Sequence, residues 1–218
     1  MNKFLLTRKE IDDCTASIRS QGLVEHNLSC KNWDVANIMP HIGDGNILDM
    51  GCMDSYILQN AAKAGRNGLK HGIDLGYKPG AITPVAGVEF FTGDLMKCPF
   101  EDGRYQYVTC LSVIEHQVDF DKFAAECSRL LSSGGKLFVT FDYWTPKQPM
   151  PERELYGLNW MILDRNDVDG LIAACSRKNL KLDRPIDWTI QDQVINEKYC
   201  APFKGIGYTF GILMFIRA

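Results

Sequence analysis

Asn46-Ile47-Leu48-Asp49-Met50-Gly51-Cys52-Met53-Asp54-Ser55 is the stretch on which the fold turns. A short apolar run ends in an acid, a glycine turn follows, and Ser55 to Ala64 then reads as a helix closed by Gly65. The same alternation continues outward. Leu69 to Asp74 is a second strand, Val88 to Phe91 a third and Tyr107 to Ser112 a fourth. A helix follows with Phe120, Phe123, Ala124, Cys127, Leu130 and Leu131 on one face and Gly134-Gly135 as its exit; Lys136 to Phe141 is a fifth strand. Short apolar strands alternating with helices predict a parallel sheet covered on both faces.

Upstream, Thr7 and Glu10 have the spacing of a capping box, with Ile11, Cys14 and Ile18 on one face of the helix and Gly22 as its stop. A short helix runs from Asn32 to about Met39, ahead of Pro40. These segments either cover the pocket or pack on the sheet edge. Downstream, Tyr143 to Trp160 is rich in proline and aromatic residues and reads as a loop or insertion. A helix then carries Val168, Leu171, Ile172 and Cys175, and two strands lie near Leu180 to Thr189 and Tyr208 to Ile216. No long helix separates this last pair, which predicts antiparallel pairing. The expectation is a doubly wound α/β fold, mainly parallel and seven-stranded with an antiparallel last strand. It forms one domain: a helical cover over 1–45, a core over 46–142 and a substrate-side region over 143–218.

The 218 residues suffice for one full core. A net charge of -3, with no basic stripe, argues against a nucleic-acid partner. The eight cysteines form no C-x-x-C pair and read as reduced, buried thiols. The N-terminus turns charged too soon for a signal peptide, and nowhere do 18 apolar residues run together, so a cytoplasmic protein without a membrane span is expected.

In open α/β sheets, ligands bind beyond the carboxyl ends of the strands. Polar residues gather there: Asp49 through Ser55 after the first strand, Asp74 at the second, Gly93-Asp94-Leu95 after the third, and Ser112-Val113-Ile114-Glu115-His116 after the fourth. These four strand ends, in order over Ile47 to Phe141, resemble the class I S-adenosylmethionine-dependent methyltransferases, in the branch with an S-V-I-E-H-like motif. The resemblance implies S-adenosylmethionine as cofactor and methyl transfer to a small-molecule acceptor, such as a saccharide or a metabolite hydroxyl or amine. It implies cofactor contacts from Asp49, Gly51, Cys52, Met53 and Ser55, ribose binding by Asp74 beside Leu75, and adenine contacts from Asp94 and Leu95. Ser112 and Val113 would line the methionine end. The family's further loop glycines are replaced here by Met53 and Ser55.

Independently of any resemblance, Gly51 lets a backbone approach a ligand, and an acid about 20 residues beyond a glycine loop can accept both hydroxyls of a ribose. Asp74 lies 23 residues after Gly51; the plainer alternative is a turn or helix-cap aspartate. His116 titrates near neutrality and is the candidate general base, with substrate contact or a structural role as alternatives. Glu115 reads as orienting nearby amides. His26, His41 and His71 read as surface or core residues, and no metal is expected. Tyr143, Trp144, Tyr156 and Trp160 with Pro146, Pro149 and Pro151 suit an apolar lid or a loop packed on the sheet edge, and Asn196 to Phe203 suits a further wall. A nicotinamide-dependent oxidoreductase is disfavoured because Gly51 is not followed by Gly-x-x-Gly spacing. A binding or scaffold subunit on the same fold stays open, favoured by Met53.

Overall fold

The computed structural model describes residues 1–76, 84–149, 154–196, 198 and 201–218. Five helices among them are α1 (Arg8–Ser20), α2 (Asn32–Ile38), α3 (Tyr56–Lys63), α4 (Phe120–Leu130) and α5 (Arg165–Arg177). The strands are β1 (Lys3–Phe4), β2 (Ile47–Met50), β3 (Lys70–Asp74), β4 (Glu89–Thr92), β5 (Tyr105–Leu111), β6 (Leu131–Tyr143), β7 (Glu154–Leu155), β8 (Leu158–Asn159), β9 (Leu180–Leu182) and β10 (Thr209–Arg217).

The sheet runs β1-β10-β6-β5-β2-β3-β4, with β9 also pairing β10. Strands β4, β3, β2, β5 and β6 are parallel, whereas β10 is antiparallel to β6, β9 and β1. Strand order therefore reverses between β2 and β5, and their carboxyl ends open a crevice there. Alternation of side chains along buried strands builds a core on each face. In β10, Leu213 and Phe215 join Phe123, Leu130 and Leu171 under α4 and α5. Phe210, Ile212 and Met214 join Ile11, Ile18 and Trp33 under α1 and α2.

Four features differ from the sequence reading. The sheet has eight strands, because two-residue β1 pairs with Ile212 and Gly211 at the edge of β10. The helix α4 stops at Leu130, so Gly134 and Gly135 lie within β6 rather than at a helix exit. The expected strand to Thr189 ends at Leu182, where its pairing with β10 ends. The aromatic segment after β6 carries the β7–β8 hairpin. Pro151 of the expected lid, and Tyr199 and Cys200 of the expected wall, lie outside the described residues. The other seven cysteines are free thiols. No helix among the described residues is long and apolar enough to cross a membrane.

Candidate functional site

Thr7 caps α1 by accepting from the Glu10 amide, while the Glu10 carboxylate accepts from the Leu6 amide. The chain leaving α1 is then strapped across α3. Asn60 exchanges two hydrogen bonds with the Val24 backbone, and His26 stacks on Tyr56 at 4.1 Å. This strap brings the segment before α2 over the sheet's carboxyl rim. The cover thus reaches the site as well as the sheet edge.

After β2 the backbone of Gly51 turns at φ 70, and Met53 and Ser55 follow at φ 38 and 39. The two non-glycine residues keep the left-handed backbone a glycine loop would have. Met53 points its side chain outward, 53% exposed, and so does not fill the crevice. Ser112 and Gln117, at the end of β5, also have positive φ. Four of the six such non-glycine residues among those described therefore sit on one rim, where strain commonly marks a working site.

Asp49 is buried, and its two oxygens accept from Ser55 Oγ at 2.7 Å and Thr109 Oγ1 at 2.5 Å. Ser55 in turn caps α3 by accepting from the Leu58 amide. Asp49 and the Ser55 hydroxyl therefore brace the loop from beneath rather than pointing free groups into the crevice. Burial pushes the Asp49 carboxyl up to about 7. Cys52 is also buried, its thiol packed against Gly72 and held well above its ordinary pKa, chiefly by burial.

Asp74 differs from Asp49. It is half-buried at the end of β3 and accepts from the Met53 amide at 3.1 Å and the Gly76 amide at 2.7 Å. Asp94, two residues beyond Thr92, the β4 partner of Asp74, accepts from the Met96 amide at 2.8 Å. Neither acid has an ion-pair partner among the described residues. Leu95 is buried beside them and Leu75 is 60% exposed. With Met53, Leu28 and Tyr156, Leu75 completes the exposed large apolar side chains among the described residues. Carboxylates free of cations, flanked by apolar surface, suit a neutral polyhydroxylated ring system. Val113 packs its methyl groups on Gly51.

Sequence reasoning missed Lys31. Its ammonium contacts Ser112 Oγ, pairs with Asp34 at 3.4 Å and lies 3.7 Å from the centre of the Phe210 ring. The side chain is 17% exposed. Burial alone would lower its pKa, but Asp34, Asp142 and Glu115 outweigh burial and hold it above the ordinary lysine value. The lysine and Ser112 are 81 residues apart, so only the pairing of Lys31 with Asp34 one turn later was visible locally.

Glu115 is fully buried, and neither of its oxygens accepts from a side chain among the described residues. Its carboxyl faces Lys31 and Asp142 and meets the backbone amides of its own residue and of Asp142. His116 Nδ1 lacks a partner among the described residues. Burial and Lys31 lower the His116 pKa, so the imidazole is neutral at pH 7 and can accept a proton. The Tyr156 ring lies 6.0 Å from it, on the β7–β8 hairpin. The other expected lid residues separate. Tyr143 packs on Phe4 at 4.3 Å, while Trp160 donates to Asp142 at 2.9 Å and meets Phe203 at 5.5 Å. His71 is a core residue, bonded to the Tyr105 hydroxyl at 2.8 Å.

A family profile described as "Methyltransferase domain" matches residues 48–139. The ubiquinone biosynthesis O-methyltransferase of Marinobacter nauticus is 29% identical over 109 residues, 46% of this chain and 45% of that protein. The chain thus spans under half the length of such curated relatives. An S-adenosylmethionine-dependent methyltransferase from Mesorhizobium loti superposes with a TM-score of 0.63 at 14% identity, covering 86% of this chain and 98% of that one. Geranyl diphosphate C-methyltransferase from Streptomyces coelicolor, solved with Mg2+, geranyl diphosphate and S-adenosyl-L-homocysteine, gives 0.60 at 16% identity, covering 85% and 77%. At these identities, the structural likeness concerns the fold.

Proposed function

We propose that the chain is a class I S-adenosylmethionine-dependent methyltransferase and that it transfers the cofactor's methyl group to a small-molecule acceptor. The observation that carries the reading is Asp74, an acid at the carboxyl end of β3 with no ion-pair partner among the described residues, tied to the Met53 amide of the left-handed loop. The two carboxylate oxygens retain lone pairs for both ribose hydroxyls. Asp94 and Leu95 take the adenine, the first by accepting from its amino group and the second as an apolar wall. Gly51, Ser112 and Val113 border the methionine end, and Lys31 at Ser112 supplies a cation for the cofactor's carboxylate. Asp49, Cys52 and Ser55 hold the loop.

S-adenosylmethionine supplies an activated methyl group on a sulfonium. The protein has then to align the acceptor, exclude water and remove a proton; alignment of this kind contributes roughly 7–11 kcal/mol. His116, neutral and with Nδ1 unpaired, is the proton acceptor. Titration of S-adenosylhomocysteine by calorimetry tests the reading. Binding is expected in the native protein, and Asp74→Asn should weaken it at least thirtyfold, since hydrogen bonds to a charged group contribute about 1.5–3 kcal/mol each. Undiminished affinity in Asp74→Asn would remove the ribose assignment.

A further inference from the structure

Four charged side chains meet at the carboxyl ends of β5 and β6, and their charges do not balance. Among the described residues, Lys31 is the single cation facing Asp34, Glu115 and Asp142. Asp34 is 1%, Glu115 0% and Asp142 5% exposed. Lys31 and Asp34 form an ion pair. Asp142 is held by the Trp160 indole N–H at 2.9 Å and by the Tyr208 hydroxyl. Glu115 meets only backbone amides, those of its own residue and of Asp142, and has no side-chain hydrogen bond among the described residues. A buried excess of carboxyls over cations is unfavourable, and a fold keeps one where something else is to meet it.

The surroundings indicate what that is. The Trp160, Tyr208 and Phe210 rings pack in succession, at 5.6 and 6.0 Å. The Phe210 face already carries one ammonium, that of Lys31. Carboxylates together with aromatic faces are the chemistry that recognises ammonium groups. We infer that the acceptor is an amine, bound as its ammonium ion by Glu115 and Asp142 beside these rings and methylated on nitrogen. The inference rests on the methyltransferase reading and adds the substrate class.

Charge flow supports it. The bound ammonium passes one proton to Nδ1 of His116. The freed nitrogen lone pair then forms a bond to the methyl carbon, and the carbon–sulfur bond breaks with its electron pair left on sulfur. Positive charge moves from sulfur to nitrogen, so carboxylates beside the nitrogen stabilise the transition state more than the neutral amine before it. A phenolic acceptor would instead have to become an anion beside two acids, which disfavours it. Burial pushes Asp142 up to about 6, with Asp34 adding to the rise, and pushes Glu115 well above the ordinary carboxyl range, with Asp142 adding to it; an incoming ammonium opposes both.

The test uses the full chain loaded with S-adenosylhomocysteine and two matched probe pairs: 2-phenylethylamine against 2-phenylethanol, and ethanolamine against ethylene glycol. At least one amine should bind tenfold tighter than its neutral counterpart. Glu115→Gln, and separately Asp142→Asn, should abolish that preference, each variant being compared at saturating S-adenosylhomocysteine. Labelled methyl from S-adenosylmethionine should appear on amines and not on catechol. Equal binding of amines and neutral counterparts, an undiminished preference in Glu115→Gln, or labelling of catechol alone overturns the inference. Failure of S-adenosylhomocysteine to bind instead strikes the methyltransferase reading, and the same amine titrations on the free protein then decide the ammonium site by itself.

Discussion

Val113 rests its methyl groups on the backbone of Gly51, so closely that a Cβ built there would stand 2.7 Å from Cγ1 and nearer still to Cγ2. The contact joins the turn after β2 to the loop after β5 across the point where strand order reverses. Gly51→Ala therefore meets two penalties. The φ of 70 disfavours a side chain by about 1–2 kcal/mol. Overlap with Val113 adds roughly 1–3 kcal/mol. Denaturant unfolding should show both in the single variant. In Gly51→Ala/Val113→Ala the steric part should be relieved and the backbone part kept, which a double-mutant cycle separates. Strict additivity of the two substitutions would show that the contact carries no energy.

Met53 makes the opposite case. It holds a φ of 38 with a side chain 53% exposed, so its removal takes away strain and little buried surface. Relief of the left-handed backbone outweighs the greater freedom glycine has when unfolded, leaving Met53→Gly more stable by about 0.5–1 kcal/mol. The denaturation midpoint should rise at unchanged slope. A fall would mean that the methionine side chain contributes packing at the rim.

The legible parts of this protein were those encoded within a single βα unit. Asp49, Gly51 and Ser55 announce a strand, a turn and a capped helix within ten residues, and Asp74 follows at the end of the next strand. The parallel core could be read because strands buried on both faces are apolar throughout. What escaped depends on partners far apart in the chain. β1 becomes a strand only because Gly211 and Ile212 offer it an edge. The residues after Leu182 keep strand-like composition but find no ladder to join. At the site, the sequence could mark Asp49 as acidic and near the rim, but not that Ser55 and Thr109 would occupy both its oxygens. Nor could it mark Lys31, whose burial is made tolerable by Glu115 and Asp142 from two different strand ends.

The buried Asp49 gives the loop brace a pH signature. Its carboxyl is pushed from the usual range up to about 7, chiefly by burial, against the pull of the Ser55 and Thr109 hydroxyls. A carboxyl whose proton is held more tightly when folded stabilises the fold most below its unfolded pKa, near pH 4. That contribution declines as pH rises through 7. At about 1.4 kcal/mol for each unit of pKa, the loss is on the order of 4 kcal/mol. Asn at this position keeps the shape, places an N–H donor where the protonated carboxyl has its O–H, and has nothing to ionise. Native protein and Asp49→Asn should therefore match near pH 4, and the variant should become progressively the more stable up to about pH 7, with a constant difference above. Asp142, raised in the same direction, is present in both proteins and cancels. Urea unfolding of the pair at four or five pH values measures the difference directly. A gap independent of pH would mean that Asp49 is ionised throughout and that its two hydroxyl partners, not burial, govern its charge.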